Sequence, residues 1–111
     1  MSDGGVTGEP FGSRVDDRGD EVVVSMWGDL DLASEGTALA ALDSAHALGE
    51  ERVVLDLRAL RFLGSTGLRI LHDTQRRSDR EGRELVLVLG DSSERFIALS
   101  GMMDLFVVRR E

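Results

Sequence analysis

The sequence predicts an α/β domain, built on a mixed, mostly parallel β-sheet flanked by helices. Residues 52–57 and 84–89 are apolar with almost no polar alternation, which is typical of strands covered on both faces. Segments with helical spacing of apolar residues stand between these runs. Strands that alternate with helices in this way pair mainly in parallel, through right-handed crossovers.

The elements follow one another in the order β-β-α-β-α-β-α-β. Turn residues at 17–20 separate the first two strands, so these are expected to form a hairpin. In the first helix, Leu39, Leu42, Ala45 and Leu48 have helical spacing. In the last, Phe96, Ile97 and Leu99 are expected to point inward. The predicted strands are 11–17, 21–27, 52–57, 84–89 and 105–108, and the predicted helices are 34–48, 66–81 and 93–100.

The length of 111 residues, with 41% hydrophobic and 31% charged residues, predicts one compact domain. Residues 1–10 are rich in glycine and have little apolar surface to bury. We therefore expect a flexible N-terminal tail at 1–10 and the folded domain at 11–111.

The charge balance and the missing residue types exclude several classes of function. A net charge of −8 argues against nucleic acid as a partner and against anionic membrane surfaces. All thirteen basic residues are arginine, and cysteine is absent, so neither a Schiff-base lysine nor a cysteine-ligated zinc is possible. No apolar run is long enough to span a bilayer, and no signal peptide is recognisable. We expect a cytoplasmic protein with no membrane insertion, no cofactor and no metal.

Three segments are expected to meet at one edge of the sheet, because parallel strands end on the same side. These segments are 28–33 (GDLDLA), 58–67 (RALRFLGSTG) and 90–93 (GDSS). Helix N-termini also point to that edge, where binding sites of open α/β sheets usually lie. We therefore expect the functional site to lie in these three segments.

Ser65 has two interpretations. It lies with Thr66 between Gly64 and Gly67, where a loop becomes a helix, so its hydroxyl can cap the free N–H groups of that helix. Alternatively, Ser65 accepts a phosphate, which the helix dipole would stabilise. A serine hydrolase is excluded, since His72 stands about 10 Å further along the same helix. The other histidine, His46, is expected to be at the surface or half-buried.

Acidic residues dominate the first half of the chain. Asp29 and Asp31 fit a simple turn, and as a cation site they are a weak signal because no further ligand stands nearby. No basic residue interrupts 20–51, which favours a solvated face over a docking surface for a basic partner. The eight acidic residues of this stretch are Asp20, Glu21, Asp29, Asp31, Glu35, Asp43, Glu50 and Glu51.

Residues 22–34, 52–71 and 84–106 together resemble the STAS family, and within it the bacterial anti-sigma factor antagonists. The most specific pieces are G-D-L-D at 28–31 and the unit around Ser65. The resemblance implies a STAS-like domain at 11–111 that binds an anti-sigma factor with serine kinase activity and thereby releases a sigma factor. In the family motif, Asp-Ser-Ser-Gly or Asp-Ser-Thr-Gly, the residue after Asp is phosphorylated and the partner is then released. That position is Ser65 here.

The resemblance also implies which residues contact the partner. Asp31 matches the acidic residue of the family's G-E-L-D loop, which lies beside the phosphoacceptor. The expected contact residues are Asp29, Asp31, Gly64, Ser65, Thr66, Gly67, Arg69, Asp91 and Ser92.

Gly64 is a departure from the motif, because glycine replaces its aspartate. Loss of that carboxylate predicts slow phosphorylation, or none. A STAS subunit of a transporter or of a larger signalling complex, without phosphorylation, is therefore the main alternative. A small α/β enzyme is the third hypothesis, but no nucleophile–base pair supports it. The protein is expected to have no enzymatic activity and to be monomeric when free.

Overall fold

The computed structural model describes residues 10–110 and confirms the predicted fold class. Glu111 and the predicted tail, except Pro10, lie outside the described residues. Short 3₁₀ turns at Leu32–Ser34 and Met103–Leu105 precede α1 and β5. The strands and helices are β1 (Gly12–Asp17), β2 (Glu21–Leu30), α1 (Glu35–Ala47), β3 (Arg52–Leu63), α2 (Ser65–Arg80), β4 (Glu84–Leu89), α3 (Asp91–Ser100) and β5 (Val107–Arg109).

The sheet has the strand order β1-β2-β3-β4-β5. β1 and β2 form the predicted antiparallel hairpin, and the pairs from β2 to β5 are parallel. Successive crossovers of one hand between neighbouring strands place their helices on the same face. Consistent with this, the main core cluster contains residues of all three α-helices, including Leu42, Leu71 and Ile97.

The other face of the sheet is buried in a different way. The predicted burial of β3 and β4 on both faces is confirmed, but among the described residues helices pack on one face only. On the other face, Val23, Val54, Val86 and Val88 form a separate cluster. The helices therefore flank this sheet from one side.

An ionic network extends across that second face. Glu21 on β2 accepts hydrogen bonds from Arg52 at 3.2 Å and from Arg109 at 3.3 Å, and Arg52 also binds Glu84 at 2.5 Å. Because β3 and β4 separate Glu21 from Arg109, the Arg109 side chain must pass over this face. Arginine stems can cover apolar surface in this manner. The hydrogen bond from Arg109 lowers the pKa of Glu21.

β2 and β3 extend beyond the predicted ends, to Leu30 and Leu63. Two register shifts interrupt their pairing, between Ser25 and Trp27 and between Gly28 and Asp29. In a regular strand, residues three apart point to opposite faces. Such bulges allow Leu60 and Leu63 both to be buried despite this spacing. Strict alternation fails there, and for this reason the sequence pattern predicts the end of β3 at Leu57 and a loop at 58–63.

The buried faces of two helices differ from those predicted. Leu99 of α3 is 79% exposed, so its inward assignment is wrong. Leu39 and Leu48, which belong to the predicted helical spacing of the first helix, are 41% and 45% exposed and lie outside its buried face. The buried stripe of α1 is made mostly of alanines, which give a weak apolar signal. Its members are Ala38, Ala41, Leu42, Ala45 and His46.

His46 is buried, with only 3% of its surface exposed, so the prediction of a surface or half-buried position is wrong. Its Nδ1 lies 2.8 Å from the Leu42 carbonyl oxygen and its Nε2 lies 3.4 Å from Ser78 Oγ of α2. A polar partner on each ring nitrogen makes burial of the imidazole possible. Burial lowers the pKa of His46, and the positive charges of Arg77 and Arg83 act in the same direction.

The lowered pKa of His46 predicts a loss of stability in acid. The unfolded chain takes up the proton near pH 6.5, whereas the folded protein resists it. We expect the free energy of unfolding to be fully retained above pH 6.5 and to fall as the pH drops below it. The slope from this residue is at most about 1.4 kcal/mol per pH unit. His46→Gln should reduce the slope measured by urea unfolding between pH 7 and 5.

The matched control is Thr37→Gln, which introduces the same side chain at an exposed position of α1 and removes no titratable group. This variant should keep the wild-type pH dependence. Equal slopes for wild type and His46→Gln would contradict the prediction.

Candidate functional site

The ends of β2 and β3 lie side by side at the edge where the predicted segments meet. Asp29 is in register with Phe62, and Leu30 with Leu63. The Gly64 N–H then donates to the Leu30 carbonyl oxygen at 3.3 Å. The start of α2 is thereby fixed beside the loop that follows β2.

Ser65 is the first residue of α2 and is exposed. Gly64 occupies the N-cap position, and no side chain caps this helix. The capping interpretation of Ser65 is therefore wrong, and its hydroxyl makes no hydrogen bond within residues 10–110. The first helical hydrogen bond runs from Leu68 N–H to the Gly64 carbonyl oxygen at 3.0 Å. The N–H groups before Leu68 are those that an anion at a helix N-terminus contacts.

The two residues after Ser65 are less accessible. Thr66 is half-buried and Gly67 is buried. A Cβ at Gly67 would collide with the Leu63 side chain and would lie 3.2 Å from Leu30 Cγ. Gly67 is thus required for packing of α2 against the strand ends, and its contact with a partner stays a prediction.

The loop after β2 is held by a reciprocal pair of hydrogen bonds. The Asp31 carboxylate accepts from the N–H groups of Ala33 at 3.1 Å and Ser34 at 3.3 Å. Ser34 Oγ in turn accepts from the Asp31 N–H at 3.0 Å and donates to the Asp29 carbonyl oxygen at 2.8 Å. Asp31 is therefore a capping residue of this turn, half-buried beside the start of α2.

Asp29 connects the same loop to β3. Its Oδ1 lies 3.6 Å from Arg61 Nε, an ion pair slightly too long for a hydrogen bond. This oxygen is buried and accepts no hydrogen bond from the described part of the chain. The Asp29 carboxylate is therefore held in place mainly by charge.

Arginines of other elements neutralise much of the acidic stretch 20–51. Arg69 of α2 binds Glu35 of α1 at 2.5 Å, and Arg77 binds Asp43 at 2.7 Å. These carboxylates raise the pKa of both guanidinium groups. With Glu21 and Asp29, four of the eight acidic residues have an ion pair. The stretch therefore resembles an internally paired surface more than a docking site for a basic partner.

Asp91 and Ser92 open α3, whose start is attached to β3. Ser93 Oγ donates to the Leu57 carbonyl oxygen at 3.1 Å and accepts from the Gly90 N–H at 3.0 Å. Asp91 is exposed and Ser92 is half-buried. β3 links these two residues to the Ser65 region, because the start of α3 is bonded to β3 at Leu57 and α2 begins directly after β3.

An aromatic contact also joins α3 to the end of β3. The rings of Phe62 and Phe96 meet edge to face, with centroids 5.1 Å apart and an interplanar angle of 74°. The sequence did not single out Phe62, Arg61 or the exposed Leu32 as site residues. One feature of the sequence could have identified them. All three are large or charged side chains in segments 28–33 and 58–67, which are expected at the edge that carries the site.

Neither a metal site nor a membrane span is found among residues 10–110. No group of three or more His, Cys, Asp or Glu side chains is placed to hold a metal ion. None of the helices combines the length and apolar character needed to cross a bilayer.

Comparison with known proteins identifies the family. The protein-family model of the STAS domain matches residues 13–110 of this chain. The anti-sigma-F factor antagonist RsfB of Mycobacterium tuberculosis is 32% identical over 88 residues, which cover 79% of this chain and 72% of RsfB.

Solved structures agree with this result. An anti-sigma factor antagonist from Mycobacterium paratuberculosis superposes with a TM-score of 0.80 at 30% identity, covering 89% of this chain and 85% of that one. The phosphorylated form of Bacillus SpoIIAA superposes with a TM-score of 0.67, covering 90% and 93%, and at 16% identity it shows the fold alone. The family match spans nearly all of the described chain, and the chain belongs to the STAS domain family.

Proposed function

We propose that this protein is an anti-sigma factor antagonist, a non-enzymatic, cytoplasmic binding protein that is monomeric when free. It binds an anti-sigma factor with serine kinase activity through the edge that carries Ser65, and a sigma factor is released. The single observation that carries the proposal is the exposed Ser65 hydroxyl at a helix start with no side-chain cap.

The relatives support this role. RsfB and the M. paratuberculosis protein are both named as anti-sigma factor antagonists, at 32% and 30% identity. SpoIIAA shares only the fold at 16% identity, and its structures are known in unphosphorylated and phosphorylated forms. These names describe those proteins, and their transfer to this chain is part of the proposal.

Phosphorylation of Ser65 would act on the interface rather than on the fold. A phosphate at the start of α2 gains about 0.3–1 kcal/mol from the helix dipole, which is small beside a stability of about 5–15 kcal/mol. A hundredfold loss of affinity needs about 2.7 kcal/mol. Two added charges in a desolvated contact can supply that amount.

Gly64 makes this switch slow. Without a carboxylate beside Ser65, the kinase loses a group that could order the loop and orient the hydroxyl. The same observation favours a second candidate, a STAS subunit of a transporter or larger signalling complex that is never phosphorylated. Partner identity separates the two functions, since only the first requires an anti-sigma factor.

Affinity capture tests the proposed function. Wild-type protein is used as bait in a lysate of its host, each captured protein is identified by mass spectrometry, and an anti-sigma factor found there is purified and titrated. We expect Ser65→Asp to weaken binding about tenfold or more, because a carboxylate would stand where the neutral hydroxyl makes contact. Ser65→Ala should bind like the wild type.

The matched control is Ser44→Asp, which adds the same charge to an exposed position near the C-terminal end of α1. It should leave the affinity unchanged. Capture of a transporter in place of an anti-sigma factor, or equal weakening by both aspartate variants, would contradict the proposal.

The rate of phosphorylation tests the role of Gly64. The captured anti-sigma factor is incubated with ATP, Mg²⁺ and the wild-type protein, and Ser65 phosphate is followed by mass spectrometry. We expect slow, substoichiometric transfer that is absent in Ser65→Ala. Rapid stoichiometric transfer would refute the slow switch.

Asp31 has a capping role that can be separated from its charge. Asp31→Ala removes the acceptor for two backbone N–H groups and should lower the free energy of unfolding by about 0.5–2 kcal/mol. Asp31→Asn keeps an acceptor oxygen and should stay close to wild type in urea unfolding. If Asp31→Asn nevertheless weakens partner binding, the charge itself is part of the interface. Equal stability of Asp31→Ala and wild type would exclude the capping role.

A further inference from the structure

We propose that Arg69 binds the phosphate of phosphorylated Ser65, and that it leaves Glu35 of α1 to do so. Phosphorylation then changes the surface in two places, at the start of α2 and at the start of α1. Arg69 is a positioning residue for the phosphate and takes no part in the transfer. Its biological role rests on the proposed function, whereas the exchange of ion pairs can be measured without a partner.

Arg69 stands four residues after Ser65 on α2, and both residues are exposed. Residues four apart lie on the same face of a helix, with their Cβ atoms about 5–6 Å apart. Helical side chains also lean toward the N-terminus of their helix. The Arg69 guanidinium can therefore reach a group that is attached to Ser65 Oγ.

The present partner of Arg69 is Glu35, the first residue of α1. Arg69 Nη2 donates a hydrogen bond to Glu35 Oε2 at 2.5 Å. The two side chains are 54% and 23% exposed, so water weakens the attraction, and two long side chains must be held in one geometry. The charge of Asp73, one turn further along α2, adds a weaker attraction. The ion pair between the two helices is therefore easily exchanged.

A phosphate at Ser65 is the stronger partner. During transfer the bond from Ser65 Oγ to phosphorus forms, the bond from the γ-phosphorus to ADP breaks, and the hydroxyl proton is lost. The product carries a charge of about −1.5 to −2 and three acceptor oxygens. Arginine binds phosphate through two parallel hydrogen bonds, and the first N–H groups of α2, which no side chain caps, are available to another oxygen. Arg69 therefore prefers the phosphate to the single charge of Glu35.

The exchange carries the effect of phosphorylation to a second helix. Within residues 10–110, Arg69 is the only ion-pair partner of Glu35. Glu35 directly follows the 3₁₀ turn that Asp31 caps beside the start of α2. A partner seated on this edge then meets the phosphate together with an unpaired carboxylate, and both oppose binding of a surface that fits the unmodified protein.

The second pKa of the phosphate tests the role of Arg69. Phosphoserine is incorporated at position 65 during translation, so no kinase is needed, and the phosphate is titrated by ³¹P NMR. We expect Arg69→Gln to raise this pKa by about 0.3 pH unit or more, because a bound guanidinium favours the dianion.

The matched control is Arg76→Gln, which removes the same charge from an exposed position on α2. Arg76 is eleven residues from Ser65, or about 16 Å along the helix. Its substitution should leave the phosphate pKa within about 0.1 pH unit of the unsubstituted phosphoprotein, since salt screens charges at this distance. Equal effects of the two substitutions would overturn the proposal.

A double-mutant cycle tests whether Arg69 leaves Glu35. Arg69→Gln, Glu35→Gln and the double variant are unfolded in urea, with serine and with phosphoserine at position 65. We expect the two substitutions to be coupled about two- to fivefold in the unfolding constant of the serine form, as for other exposed pairs. The coupling should vanish in the phosphoserine form. The same coupling in both forms would overturn the exchange.

Partner binding tests the consequence for release. The captured anti-sigma factor is titrated with the serine and phosphoserine forms of wild type and Glu35→Gln. We expect phosphorylation to weaken binding less in Glu35→Gln, by about threefold or more, because no carboxylate is set free there. Equal weakening would overturn this consequence. If phosphorylation weakens binding in neither protein, the proposed function is contradicted, while the NMR titration still decides the role of Arg69.

Discussion

The parallel pairing of β2 with β3 beyond their predicted ends is the constraint on which the site depends. It places Leu30 beside Leu63, so that the Gly64 N–H reaches the Leu30 carbonyl oxygen and α2 begins at a fixed point. Buried Gly67 then lets the helix approach both leucines. The position of Ser65 is therefore set by sheet register and packing, and not by bonds of its own side chain.

The one-sided arrangement of helices follows from the same sheet. Sequential parallel neighbours with crossovers of one hand bring α1, α2 and α3 to one face, where their N-termini meet a single edge. Within residues 10–110, no helix covers the valines of the opposite face, and arginine side chains bound to Glu21 extend across it. Arginine suits this position because its long stem is apolar and its guanidinium can bind two carboxylates.

The sequence predicted the fold class, the hairpin and the edge where the segments meet, because these depend on apolar runs and turn residues. It pointed Leu99 inward, although the buried residues of α3 are Ser93 and Ile97. In α1, the helical spacing of leucines did not reveal a buried stripe made mostly of alanines. It also predicted a surface or half-buried position for His46, because the partner Ser78 is 32 residues away along the chain and is brought close only by the fold. Phe62 was missed for a similar reason, as its contact with Phe96 joins residues that are distant in the sequence.

Three serines near helix starts show why Ser65 differs from ordinary capping residues. Ser34 and Ser93 are buried, and each hydroxyl binds backbone groups that connect a helix start to a strand end. Their removal would leave buried polar groups unpaired, which costs about 1–3 kcal/mol each. Ser65 has no such role, and Gly64 before it leaves the first N–H groups of α2 without a side-chain acceptor. A hydroxyl that the fold does not use, beside donors that the fold does not satisfy, is a position where an added anion changes the surface and leaves the structure intact.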